Sequence, residues 1–465
     1  MALHSIIIGA GISGLTAAYQ LKQRGHNILL LENSARAGGV MQSDLVDGFL
    51  LERGPNSFRG THELLDLVES IGLLPELVAA NPKAPAWVYF QQQLHAVPMS
   101  LPALLTTRLL SPSAKLRLLR EPFIAPRREP GEESIAAFVR RRLGPEILDR
   151  MVAPFLSGVY AGDPEQLSVQ ATFGKLAEFE ATGSIARGAI GAARSAKNKG
   201  VAPTRSLRPY RLCSFRNGMQ TLTDALAAAL GDKLMTGARV TGISPAPPLS
   251  DQAKYLISIE RAGEVFALRT RTLVIAAPAA ATSQLLKAMA PALAALIADI
   301  RYTTIAAVPL AYRIEQLARP LDGFGFLTPR GEGLRTLGSI WNSALFPKRA
   351  PKGWVLLNNF IGGETDPEAI TLDDDTLARI VHHDLKGPLG ITGDPRLLPV
   401  TRWPQAIPQY VIGHAARVAR IEEDLRSRPG LWLAGNYLRG VALGDCVKRG
   451  MTIADAAAQF TGNAV

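Results

Sequence analysis

Ser5-Ile6-Ile7-Ile8-Gly9-Ala10-Gly11-Ile12-Ser13-Gly14 decides the fold. Ser5–Ile8 is a short, β-branched apolar run, the pattern of a strand buried on both faces of a parallel sheet. Leu15, Ala18, Tyr19 and Leu21 then recur at helical spacing until Gly25-His26 stops the helix. Asn27–Leu31 reads as a second strand, ended by Glu32. The glycines therefore form G-x-G-x-x-G with a strand before and a helix after. Gly9 makes the tight turn, Gly11 lets a pyrophosphate approach the backbone, and Gly14 allows close helix–strand packing. Ile12 and Ser13 open the helix, whose N-terminus faces negative charge. Glu32 stands 21 residues beyond Gly11, where a carboxylate accepts hydrogen bonds from a ribose diol. This is a dinucleotide-binding unit.

The next residues choose between dinucleotides. Glu32-Asn33-Ser34-Ala35-Arg36-Ala37-Gly38-Gly39 adds an arginine and a glycine pair just past the acid. Gly38 and Gly39 permit a second close backbone approach, and Arg36 can face phosphate. This E-x3-R-x-G-G extension resembles the large flavoprotein family of amine oxidases, phytoene desaturases and protoporphyrinogen oxidases. The resemblance implies FAD, with Asn33 beside the acid. At the far end, the apolar strand Leu431–Ala434 leads into Gly435-Asn436-Tyr437 and Gly440-Val441-Ala442-Leu443-Gly444-Asp445, with a helix expected from about Cys446. In that family this loop lies along the flavin, which places Gly435, Asn436, Val441, Ala442 and Leu443 at the cofactor. The helix N-terminus would meet the negative charge that reduction deposits on the ring.

The middle completes the cofactor domain. Phe215–Leu222 leads into an alanine-rich helix ending near Gly231, and Ala238–Ile243 reads as a strand. Tyr255–Glu260 and Val265–Thr270 form a hairpin around Ala262-Gly263. Leu273–Pro278 is a further buried strand, which carries Ala277. The resemblance puts Val240 and Ala277 at the cofactor. Residues 300–415 are rich in strand-like segments (Ala306–Tyr312, Gly323–Thr328, Thr336–Trp341, Trp354–Phe360) and suggest a mixed sheet walling a cavity. Residues 99–207 are mostly helical by pattern, with Ser134 as an N-cap and Gly144-Pro145 as a stop.

The expected fold is α/β, multi-domain (α+β in its arrangement), with a Rossmann-like FAD-binding domain, a mixed-sheet substrate domain and a helical membrane-associated domain. The FAD domain is assembled from 1–85, 208–295 and 421–465. The substrate domain takes 86–98 and 296–420, and the helical domain 99–207.

Composition sets limits. Hydrophobic residues are 47% and charged residues 20%, which excludes a disordered or fibrous chain. Two cysteines, Cys213 and Cys446, cannot build a disulfide framework, and no metal site is expected. The net charge is +11, but residues 101–215 hold 18 Lys and Arg against 10 Asp and Glu, so most of it sits in one quarter of the chain. Leu104, Leu105, Leu109, Leu110, Leu116, Leu118 and Leu119 alternate there with Arg108, Lys115, Arg117 and Arg120. A basic, leucine-rich helical layer suits an anionic membrane surface; an ordinary solvated basic face is the alternative. Nucleic acid is not an expected partner. No apolar run is long enough to span a bilayer and no targeting segment precedes the first motif. The expected location is the cytoplasm or the cytoplasmic face of a membrane, not outside the cell.

Longer phrases narrow the resemblance. Phe49-Leu50-Leu51-Glu52-Arg53-Gly54-Pro55-Asn56-Ser57-Phe58, Phe155–Pro164, Trp403-Pro404-Gln405-Ala406-Ile407-Pro408-Gln409 and Gly435-Asn436-Tyr437 are similar to oxygen-dependent protoporphyrinogen oxidases, the plastid-type branch most of all. The resemblance implies cofactor contacts at Gly54, Pro55, Asn56 and Trp403. It implies a six-electron oxidation of protoporphyrinogen IX, with oxygen reoxidising the flavin to give hydrogen peroxide, in haem and chlorophyll biosynthesis. It also implies a homodimer, and a ferrochelatase as possible recipient of the product. No catalytic acid–base pair is expected, because the flavin supplies the difficult step. Leu327, Ile340 and Phe360 match the family's flat apolar substrate slot, and Gly158 the backbone position near the ring nitrogens. One position departs: plant relatives carry an arginine for a substrate propionate where this chain has Ala86, within Pro85-Ala86-Trp87. Arg59, Lys83 or His62 could supply the cation, Arg59 being the chosen candidate. The alternatives are a coproporphyrinogen III oxidase, another flavin amine oxidase or desaturase, and a flavin-binding scaffold without activity.

Overall fold

The computed structural model describes residues 3–127, 129, 131–189, 191, 211–249 and 251–462. The expectations made for residues 192–207, the end of the helical region, lie outside the described residues.

Leu3–Ile8 pairs in parallel with Ile28–Leu31 on one side and with Thr270–Ile275 on the other. Leu234–Met235 extends the sheet beyond Ile28–Leu31, and Leu431–Leu433 lies parallel to Leu273–Ile275. Ile6, Ile7, Leu30, Leu273 and Val274 are wholly buried, as a sheet covered on both faces demands. The helix Ile12–Gln23 crosses the C-terminal helix Leu443–Gly462 at close range: a Cβ on Gly450 would stand 2.7 Å from the Ser13 carbonyl oxygen.

Where the sequence suggests two elements, Glu264–Ile275 is a single strand. Its first half runs antiparallel to Tyr255–Arg261, which pairs with Arg239–Pro245, and its last residues join the parallel sheet. Thr270 and Thr272 mark the changeover. Both are fully buried, yet their hydroxyls donate to the Thr272 and His4 carbonyls at 2.8 and 2.9 Å. Polar residues satisfied in this way read from sequence as a break.

A second, mixed sheet runs in the order Arg396–Leu397, Tyr302–Arg313, Trp354–Gly362, Thr336–Ile340, Gly325–Leu327, Ala86–Phe90, Gln93–Ala96, with Thr401–Pro408 also on Tyr302–Arg313. Its pairs are antiparallel except Gly325–Leu327 with Ala86–Phe90. Ala86–Phe90 and Gln93–Ala96 thus share one sheet with the later strands. The same region is less strand-dominated than expected. Asp374–Leu389 is a helix, capped by the Asp373 carboxylate on Thr376 N at 2.8 Å, burying Leu377, Val381, Leu385 and Leu389 against the sheet. The helix His414–Arg426 straddles the boundary expected at 420.

A three-stranded sheet of Phe58–Arg59, Leu212–Phe215 and Leu77–Ala79 also went unanticipated. The helical region contains Leu101–Thr106, Pro112–Arg120, Ile135–Arg142, Ala153–Tyr160 and Val169–Ala181. Ser134 caps its helix, accepting from Ala137 N at 3.1 Å, and Gly144 follows at φ 101°. Among the described residues no helix is long and apolar enough to cross a membrane.

Candidate active site

The glycine turn is built from contacts that assign each glycine a different task. Gly9 sits at φ 99°, and a Cβ there would lie 2.9 Å from the Ala276 carbonyl carbon and 3.0 Å from Ala277 N. Ala277 thereby reaches the turn. A Cβ on Gly14 would stand 1.9 Å from the Gly9 carbonyl oxygen. Gly11 differs: its φ is −70°, open to any residue, and a Cβ would meet no protein atom within 4 Å. Neither backbone nor packing requires glycine there. The space beside it leaves the first N–H groups of the helix, at Ile12 and Ser13, open to an approaching group. The residues present fit a dinucleotide pyrophosphate.

The Glu32 carboxylate is fixed by two backbone donors, Ala10 N at 2.7 Å and Ser34 N at 2.8 Å. Each oxygen keeps a lone pair for a further donor, and Asn33 beside it is exposed. Ala238 N donates to the Glu32 carbonyl at 2.8 Å, which brings the strand carrying half-buried Val240 alongside.

Arg36 does not stand free to face phosphate. Its guanidinium donates to the carbonyls of Ala37, Gly39 and Met41 at 2.9, 2.7 and 3.1 Å and to Gln42 Oε1 at 3.2 Å. It holds its own loop in shape. Gly38 (φ 111°) and Gly39 (φ 57°) lie in that loop, and Gly38 N donates to the Ala10 carbonyl at 2.7 Å. The two glycine turns are one structure. Gly54 and Pro55 follow closely, since a Cβ on Gly54 would stand 2.0 Å from the Val40 carbonyl oxygen. Trp403 Nε1 donates to the Arg53 carbonyl at 2.8 Å and joins the second sheet to this strip.

Asn56, expected at the cofactor, is buried between the two domains. Its Oδ1 accepts from Asn342 Nδ2 at 2.9 Å and from Asn358 Nδ2 at 3.0 Å, one residue from each of two elements of the second sheet's domain. Beneath lies a buried charge pair the sequence reading missed. Glu52 accepts from Ser43 Oγ at 2.6 Å and Met219 N at 3.0 Å, with the Arg349 guanidinium 3.7 Å away. Burial pushes the Glu52 carboxyl up to about 7, against those hydrogen bonds and Arg349.

At the C-terminal loop Gly435 (φ 150°) has the Tyr437 ring over it, 2.7 Å from where a Cβ would be. Tyr437 is wholly buried, so this loop offers no exposed aromatic pair. The helix begins at Leu443, three residues before the expected start, with Asp445 N and Cys446 N donating to the Ala442 carbonyl at 3.0 and 3.1 Å. Val441, Ala442 and Leu443 therefore form its N-terminus. A Cβ on Gly444 would stand 2.8 Å from Thr61 Cγ2, which sets that terminus against the Phe58–Thr61 segment.

The slot residues come together by register. Leu327, Gly338 and Phe360 oppose one another across three neighbouring strands, and Gly325, Ile340 and Asn358 form the next row on the same face. Ala86 continues that second row beside Gly325. Leu327, Ile340 and Phe360 are half-buried, while their strand neighbours Phe326, Ser339 and Asn359 point the other way and are buried. The helix Ala153–Tyr160 closes over this face: a Cβ on Gly158 would stand 2.6 Å from Leu327 Cδ2. Arg59 is exposed and directly opposite Leu212, so both side chains share a face, and Leu212 packs in the cluster that holds Ile340. Lys83 is exposed on the turn before Ala84, and His62 opens the helix His62–Ser70.

Comparisons with known proteins give the family. The family model described as flavin containing amine oxidoreductase matches residues 12–458. A chloroplastic protoporphyrinogen oxidase from Nicotiana tabacum is 37% identical over 474 residues, covering 98% of this chain and 86% of the relative. A coproporphyrinogen III oxidase from Bacillus subtilis is 29% identical over 465 residues, 96% of each. A solved structure from Exiguobacterium sp. 255-15, of a protein provisionally named a protoporphyrinogen oxidase, is similar with a TM-score of 0.79 at 26% identity, over 98% of each chain.

Proposed function

The chain belongs to the flavin containing amine oxidoreductase family, with FAD as its cofactor, and on that premise we propose that it oxidises protoporphyrinogen IX to protoporphyrin IX. FAD held here would supply a hydride acceptor for a methylene bridge of the substrate, reoxidised by oxygen to give hydrogen peroxide. Three two-electron oxidations remove four bridge C–H hydrogens and a net two N–H hydrogens, three as hydride and three as protons, so six electrons and six hydrogens leave in all. Three oxygen molecules become three of peroxide.

The residues of this chain hold and orient. Gly11 at the helix N-terminus and the Gly38-Gly39 turn beside it take the pyrophosphate, Gly9 and Gly14 shape the turn, and Glu32 holds the ribose. Leu327, Ile340 and Phe360 give an apolar face for one side of the macrocycle, and burying them against it expels water from the reacting carbon. The Gly158 backbone lies over the same face. Arg59 supplies a cation at the rim for a propionate, in place of position 86. The single observation that carries the reading is the convergence of Leu327, Ile340 and Phe360 on one sheet face beneath Gly158.

The surface of the helical region supports a peripheral membrane role. Met99, Leu105, Leu116, Leu119, Phe123, Phe155 and Val159 are exposed, among Arg108, Lys115, Arg117 and Arg120. A homodimer, and transfer of the apolar product to a ferrochelatase, belong to the same proposal.

The test is anaerobic mixing of the FAD-loaded protein with protoporphyrinogen IX. The visible flavin absorbance should bleach with one equivalent of substrate or less. A flavin that stays oxidised with substrate, yet bleaches with dithionite, would overturn the reading.

A further inference from the structure

Gln409–His414 touches three parts of the molecule at once. Gln409 Nε2 donates at 2.8 Å to the carbonyl of Tyr160, the last residue of the helix that carries Gly158. Ser168 N donates to the Tyr410 carbonyl at 2.8 Å, Ile412 N to the Gln166 carbonyl at 3.0 Å, and Gly413 N to Glu132 Oε2 at 3.0 Å. These bonds stitch the segment to the helical region. On its other side, the Tyr410 hydroxyl donates to the Asn436 carbonyl, and His414 Nε2 lies 3.0 Å from the Leu438 carbonyl. Facing a carbonyl, that nitrogen carries the proton.

The two rings stack, with centroids 4.4 Å apart and planes at 15°, and neither residue is more than 2% exposed. Burial pushes His414 below its ordinary value, so the ring stays neutral with one donor. Tyr410 also has one donor. Both are spent on carbonyls of a single short loop. A loop is ordinarily the most yielding part of a fold; two buried donors on a stacked pair remove that freedom.

We infer that Tyr410 and His414 are positioning residues that set the Asn436–Leu438 backbone against the flavin, with Gln409 tying that setting to the end of the slot helix. This rests on the flavin reading of Gly435–Leu443, not on the identity of the substrate. The slot and the cofactor loop share one anchor.

The test uses the FAD-loaded protein and three variants. Tyr410→Phe keeps the stacked ring and loses the hydroxyl, and His414→Phe keeps a ring and loses the donor to Leu438. Tyr312→Phe is the control: Tyr312 is also buried, bonds His382 Nδ1 at 3.0 Å and stacks on that ring, but lies at the opposite end of Tyr302–Arg313. The flavin visible spectrum, the FAD dissociation constant and the midpoint potential are measured by dye-coupled titration and ultrafiltration. Tyr410→Phe should shift the spectrum and potential and weaken FAD about two- to tenfold, the worth of one hydrogen bond. Tyr312→Phe should leave all three unchanged at a similar melting temperature. If Tyr410→Phe does not fold, His414→Phe is read the same way. A variant flavin indistinguishable from wild type, or an equal change in Tyr312→Phe, would overturn the inference. No porphyrinogen is involved, so failure of the proposed reaction would leave this result standing.

Discussion

A Cβ on Gly39 would stand 3.4 Å from the Cα of Gly11. Two glycine turns, 28 positions apart in the chain, thus face one another across van der Waals distance. The bond from Gly38 N to the Ala10 carbonyl holds them there. Backbone without side chains meets backbone without side chains at this contact. Close contacts continue at Gly54, packed against Val40, and at Ala277 behind Gly9.

The glycines should separate by experiment. Gly14→Ala puts a methyl 1.9 Å from a backbone oxygen, so that variant should fold poorly or not at all. Gly11→Ala should fold with a melting temperature close to wild type but bind FAD at least about tenfold more weakly. Thermal melts and FAD titration of the two variants check this. Equal FAD affinity in Gly11→Ala would remove the cofactor's claim on that position.

Arg36 should matter for FAD through its loop rather than by direct charge. Arg36→Lys keeps the charge but cannot span the carbonyls of Ala37, Gly39 and Met41. It should therefore weaken FAD nearly as much as Arg36→Ala. Affinity retained in Arg36→Lys and lost in Arg36→Ala would mean the charge itself is what counts.

Glu52 carries a pH signature. Its folded value of about 7 lies above the ordinary 4.5, because burial disfavours the carboxylate. The native state then binds the proton more tightly than the unfolded chain. Stability contributed by Glu52 is full below about 4.5 and is lost as pH rises through about 7. Glu52→Gln, uncharged throughout, should gain on wild type over that interval in urea melts. A stability difference that does not change with pH would refute the assignment.

The pair Glu121 and Arg142 has the opposite sign. Both are buried, and Glu121 also accepts from Ser184 Oγ, Ile185 N and Ala186 N at 2.7, 2.9 and 3.2 Å. Burial alone would raise this carboxyl; the hydrogen bonds outweigh it and hold it below its ordinary 4.5. Its stabilising contribution is present above that value and is lost as pH falls through the folded one. Arg142→Met, which strands the carboxylate, should cost roughly 3–5 kcal/mol at neutral pH, and the deficit should shrink in acid. Chemical denaturation at several pH values measures both.

The proposed role of Arg59 gives a kinetic prediction. Its side chain is exposed, so a bond from it to a substrate carboxylate would be worth little. Arg59→Ala should raise KM about three- to tenfold with kcat within twofold. An unchanged KM would leave Lys83 as the next candidate.

Much of this molecule was legible in the sequence where a short stretch dictates its own geometry. The turn at Gly9–Gly14 needs only local backbone and a flanking strand and helix, and the structure places all three as read. The resemblance alone proposes the slot residues, and strand pairing sets Leu327, Gly338 and Phe360 in one row. What escaped depends on distant partners. Phe58–Arg59 and Leu77–Ala79 are too short to show a period, and they pair with Leu212–Phe215 more than 130 positions on. Glu264–Ile275 was divided because Thr270 and Thr272 look polar, and only their buried partners show otherwise. The Asp374–Leu389 helix had a signal in Asp373 and the Leu377, Val381, Leu385, Leu389 spacing, which the strands around it obscured. Arg36 reads as a phosphate ligand from its residue type, whereas the resemblance alone puts Asn56 at the cofactor. An arginine that holds carbonyls and one that holds phosphate look alike until the loop is folded.

The most direct measurement is the initial rate of porphyrin formation in air on protoporphyrinogen IX and coproporphyrinogen III, each corrected for autoxidation, with peroxide counted alongside. The expected result is a clear preference for protoporphyrinogen IX and three peroxides per porphyrin. Preference for coproporphyrinogen III, or no rate above autoxidation on either with FAD bound, would contradict the assignment of the slot.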